Sequence, residues 1–144
     1  MNEEIKLKTV PINLLHILIG NLPEVLVNEI NKHIDDIIIP TKVNYSNNLV
    51  GQINQDEKSS QLDFSLDSEY GKKFKQMLDG CATSLLKSGY KREAKADAFE
   101  AWTVSSYAGD YNPFHSHVTP TPAGLSCILY LKVPDCIKEK PNAP

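Results

Sequence analysis

The sequence predicts an α+β domain, mainly β, in which two amphipathic helices cover a sheet of short strands. Three observations lead there. Apolar residues recur at helical spacing in two segments, 22–34 and 74–86. β-Branched and aromatic residues gather in extended runs at 5–19, 99–107 and 126–133. Polar stretches rich in Asn, Ser, Gly and Pro separate these runs, as turns and loops require. At 144 residues the chain suits a single domain. A domain of that size buries about 68–70% of the surface its unfolded chain exposes, enough for a core.

Taken in order, Ile5 to Ile19 reads as one extended strand, with Pro11 tolerable on a sheet edge. Asn21-Leu22-Pro23-Glu24 starts a helix: proline sits early in the first turn and an acid lies at the positive end of the dipole. Leu22, Leu26, Ile30 and Ile34 make its apolar stripe, and Pro40 ends it, with Ile37 to Ile39 already extended. Residues 44–61 are polar and read as loop, with a short strand around Leu49 to Ile53. A second helix begins near Ser68, buries Phe74, Met77, Leu78, Cys81, Leu85 and Leu86, and stops at Gly89. Phe99 to Tyr107 is a strand, and Ser126 to Val133, apolar on both faces until Lys132, is a buried central strand closed by Pro134.

Composition narrows the function. Net charge is −3, and Arg92 is the single arginine among 15 basic residues. The basic clusters Lys72-Lys73-x-Lys75 and Lys91-Arg92 are diluted by nearby acids, so nucleic acid is not an expected partner. Three cysteines, Cys81, Cys127 and Cys136, make no closed disulfide framework and no CxxC, which suits reduced thiols in the cytoplasm. The start Met-Asn-Glu-Glu-Ile-Lys lacks the pattern of a signal peptide. The apolar run Leu14 to Ile19 falls far short of the ~20 residues that span a membrane, so no membrane partner is expected.

The chemistry gathers in Tyr107-Ala-Gly-Asp-Tyr111-Asn-Pro-Phe-His115-Ser-His117. Histidines at i and i+2 on an extended segment share a side, roughly 6–7 Å apart at ~3.3 Å per residue. Two imidazoles so placed converge on one borderline metal ion such as Fe(II), Mn(II), Ni(II) or Zn(II). The plainer alternative is a pair of exposed strand residues that happen to alternate. His16, inside an apolar strand, reads as a core or rim residue, and His33 as a solvated helix residue. Cys127 reads as a small core residue, and no cysteine has a base placed beside it in sequence for thiol catalysis.

The stretch Trp102-Thr-Val-Ser-Ser-Tyr107-Ala-Gly109-Asp-Tyr111-Asn-Pro-Phe-His115-Ser-His117, then Leu125-Ser126-Cys-Ile-Leu-Tyr130-Leu-Lys-Val-Pro134, resembles the 2-oxoglutarate/Fe(II)-dependent dioxygenases. In pattern it is nearest to a small branch found in marine phages and bacteria. The resemblance implies a double-stranded β-helix, a jelly roll of cupin-like outline, with two covering helices. It implies Fe(II) held by His115 in the first ligand position and by His117 where the family usually carries aspartate. It implies 2-oxoglutarate as cosubstrate, dioxygen as oxidant, and hydroxylation of a C–H bond in a protein side chain or small molecule. Tyr107 and Tyr111 flank the motif as candidates to hydrogen-bond the cosubstrate. Aromatic packing at a strand end is their alternative role. No catalytic acid or base is assigned.

The family's distal histidine and cosubstrate-gripping basic residue have no counterpart in 118–144, which contains neither His nor Arg. The expectation is therefore that residues 1–144 correspond to the N-terminal two-thirds of such a domain, incomplete at its C-terminal end. Weak metal affinity, negligible turnover and self-association through open strand edges would follow. Two rival readings stand beside this one. Gly109, five residues and then His115-x-His117 also fit the opening of a cupin motif, although 118–124 lacks the acid a cupin expects. The other rival is a non-catalytic β-fold that associates with a partner chain.

Overall fold

A computed structural model describes residues 5–12, 15–49, 60–107, 109–115 and 124–135. Ile5 to Ile19 is not one strand but two. β1 (Lys6–Ile12) and β2 (Leu15–Asn21) form an antiparallel hairpin in register from Lys6↔Asn21 to Ile12↔Leu15. The run is long enough to fold back on itself, and pairing satisfies backbone groups that a single isolated strand would leave to solvent. Pro11 sits on β1 opposite His16, at a position where a sheet edge tolerates the missing N–H.

One face of the hairpin rests on the end of the long helix α3 (Glu69–Ser88). There Thr9 and Ser88 hydroxyls hydrogen-bond at 2.9 Å, and the His16 N–H donates to the Tyr90 hydroxyl at 3.1 Å. The other face carries Ile12, Leu15, Ile17 and Ile19, all exposed.

α1 (Glu24–His33) begins at Pro23 with Glu24 in its first turn, as its sequence predicts. Beyond it, the chain stays helical through a π turn (Ile34–Ile38) and a short α2 (Ile39–Thr41), ending at Lys42 in the left-handed region with φ 50°. Ile37 to Ile39 is thus helical rather than extended, and Pro40 lies inside the last, three-residue helical piece, which ends one residue later at Thr41. A four-residue stripe over-rotates by about 40° per step on a helix of 3.6 residues per turn. The wider π turn takes that rotation back and lets Ile34 and Ile38 face the same core.

The predicted loop 44–61 ends in an unforeseen strand, β3 (Ser60–Asp63), preceded by a 3-10 turn (Ser46–Asn48); residues 50–53 of the expected short strand lie outside the described residues. β3 pairs antiparallel with β4 (Trp102–Ser105), from Ser60↔Ser105 to Asp63↔Trp102. Its opposite edge receives the Val43–Tyr45 segment, through Asp63 N–H to Val43 O at 2.8 Å and Tyr45 N–H to Gln61 O at 3.0 Å. Hydrogen-bonded on both edges, β3 supplies the core residue Leu62. Leu62, Phe64 and Ile38 are buried together, with Ile34, Leu66, Tyr70, Phe74 and Ala101 packed around them.

α3 starts at Ser68, whose hydroxyl accepts from Gly71 N–H and donates to Ser65 O, both at 2.9 Å. Leu85 is buried on its inner face, and Phe74 meets Phe64 at 4.9 Å between ring centroids. Gly89 follows the last turn, but with φ −82° its role is space: a Cβ there would stand 2.8 Å from His16 Cβ.

Ser126 to Val133 departs from expectation. It forms no strand, and Ile128 and Tyr130 are 73% and 80% exposed, while Leu129, Leu131 and Val133 are half-buried. Its apolar residues alternate between half-buried and exposed, with no strand paired to them among the described residues. Lys132 anchors the segment, donating to both Asp35 carboxylate oxygens at 2.7 and 2.9 Å. The architecture is α+β, with two short antiparallel sheets and two principal helices, and no closed barrel among the described residues. No helix among them is long and apolar enough to cross a membrane.

Candidate metal centre

β4 runs out of the sheet into the segment that carries the histidines. Just past its end, the Tyr107 N–H donates to Asp110 Oδ2 at 2.6 Å and the Asp110 N–H donates back to Tyr107 O at 3.1 Å. Gly109, at φ 98°, closes this turn in a conformation that a side chain would strain. The turn redirects the chain toward Asn112, Pro113 and His115.

His115 is half-buried, and its Nδ1 lies 2.7 Å from the carbonyl oxygen of Pro113. A carbonyl only accepts, so Nδ1 must be the donor. In the neutral ring the lone pair then belongs to Nε2. Histidines that bind metals are held in the same way, by one ring N–H given to a carbonyl or carboxylate while the other nitrogen coordinates. A metal held here would meet Nε2 of His115. His117 lies outside the described residues, as does Cys136. Among the described residues no group of three His, Cys, Asp or Glu side chains stands close enough to hold a metal ion.

Tyr107 and Tyr111 flank the turn with their side chains 57% and 60% exposed, so neither is packed as a core aromatic. Phe114, beside His115, is fully exposed. The remaining histidines are engaged elsewhere. His16 is half-buried edge-on to Tyr90, 5.0 Å between centroids, in keeping with a rim residue. His33 is not simply solvated: it stacks on Tyr70 at 4.4 Å and 22° and meets Phe64 edge-on at 5.4 Å. Burial in that aromatic cluster lowers its pKa from the ordinary histidine value.

Cys127 is an exposed residue rather than a core one. Its thiol is nevertheless crowded: desolvation raises its pKa, and Cys81 adds to the rise. Burial likewise pushes the Cys81 thiol up. Both shifts disfavour the thiolate and so oppose nucleophilic chemistry.

Tyr45, which no sequence signal singles out, stacks on Trp102 with centroids 5.4 Å apart and 11° between planes. The pair forms because Val43–Tyr45 runs along β3 opposite β4, a pairing set by tertiary structure. Desolvation raises the Tyr45 phenol, and the Glu100 carboxylate beside it adds to the effect. Beneath lies an open cleft of about 370 Å³ lined in part by Tyr45, Asp63, Lys75, Asp97, Phe99 and Glu100. Lys75 is committed to Asp97 and to Asp79, the latter at 3.0 Å, and both contacts raise its pKa. The Ala98 N–H donates to Asp79 Oδ1 at 2.6 Å and ties the strand-leading segment to α3. The segment that enters β4 is thus fastened to the longest helix.

No family model matches the chain, and no curated protein or solved structure matches it.

Proposed function

We propose that the chain carries the metal-binding segment of a non-haem iron oxygenase of the 2-oxoglutarate-dependent kind, built on a double-stranded β-helix, with Fe(II) held in part by His115 and His117, and that residues 1–144 by themselves turn over little or not at all. The observation that carries this reading is the contact from His115 Nδ1 to the Pro113 carbonyl, which selects the tautomer that coordinates through Nε2. Support also comes from the motif running from Trp102 to Pro134 and from its mounting at a strand end, where sites are commonly placed.

When bound, Fe(II) with 2-oxoglutarate supplies the oxidising power to hydroxylate a C–H bond with dioxygen. The chain's own residues do the rest. His115 presents a neutral nitrogen whose direction is set by the backbone two residues earlier. The Tyr107 and Tyr111 hydroxyls would donate hydrogen bonds to a carboxylate of a bound cosubstrate. The substrate is a protein side chain or a small molecule, met in the cytoplasm.

Equilibrium dialysis with labelled 2-oxoglutarate under anaerobic conditions tests the assignment. Retention that requires Fe(II) and is lost in His115→Ala supports it. Retention of 2-oxoglutarate that is unchanged without Fe(II) or in His115→Ala would refute the assignment, and metal uptake with no retained 2-oxoglutarate would favour the cupin-like reading.

A further inference from the structure

We draw no further inference here: the strongest candidate, the apolar outer face of the β1–β2 hairpin formed by Ile12, Leu15, Ile17 and Ile19, is an unpartnered sheet face and nothing in the structure shows what covers it.

Discussion

The proton on His115 Nδ1 decides which ring nitrogen a metal meets, and the Pro113 carbonyl decides where that proton sits. The spacing of His115 and His117 is legible in the sequence, but this contact is not. It depends on how the backbone runs between Pro113 and His115. His33 shows the reverse: helical spacing marks it as solvated, yet Tyr70 and Phe64, distant in sequence, enclose it. Its folded pKa lies below the unfolded value, so the neutral ring's contribution is fully present above about pH 6.5. That contribution is lost as pH falls from there through the folded pKa. The urea midpoint of the wild type should therefore drop more between pH 7.5 and 5 than that of His33→Phe, which keeps a ring and cannot titrate. Parallel pH profiles would contradict this. At Cys81 the raised thiol predicts alkylation by iodoacetamide at pH 7.5 several-fold slower in the folded chain than in urea. Peptide mapping by mass spectrometry gives the two rates, and equal rates would show that the thiol is not held back by burial.

At the scale of elements, local signals succeeded where local chemistry decides. The helix expected to begin near Ser68 does so, and Ser68 caps it, because a hydroxyl before a helix satisfies an N–H that has no partner in the first turn. Ser68→Ala should cost about 1 kcal/mol in urea unfolding. Gly71→Ala should cost more, since its Cβ would press on the Ser65 carbonyl and on Leu66. A Gly71→Ala protein as stable as the wild type would contradict the tight approach. Elements set by distant pairing were less legible. β3 hides in a polar stretch because Gln61 and Asp63 alternate with Ser60 and Leu62, and only β4 and the Val43–Tyr45 segment make it a strand. The run 126–133 has strong strand composition, yet propensity cannot supply a neighbour to pair with. The hairpin turn between β1 and β2 carries no Asn-Gly or Asp-Gly signal, so one strand is the natural reading of 5–19.

At the scale of the whole molecule, one compact cluster ties the π turn, β3 and the first turns of α3 together through Ile38, Leu62 and Phe64. Phe64 is 3% exposed and touches rings of both His33 and Phe74. Phe64→Ala should cost about 3–5 kcal/mol, a large share of the stability of a domain this size, and should abolish a cooperative unfolding transition. Ile17→Ala on the outer hairpin face should change the transition far less. This cluster holds β3, and through it β4, the strand that leads to His115. The account therefore stands or falls on metal binding by the intact chain. Anaerobic calorimetric titration with Fe(II), repeated with Mn(II), measures it most directly, with circular dichroism to show that each variant keeps its fold. The account predicts binding by the wild type, weakened roughly 10–100-fold or more in His115→Ala and in His117→Ala. Equal affinity in the wild type and in a folded His115→Ala/His117→Ala double variant would contradict it.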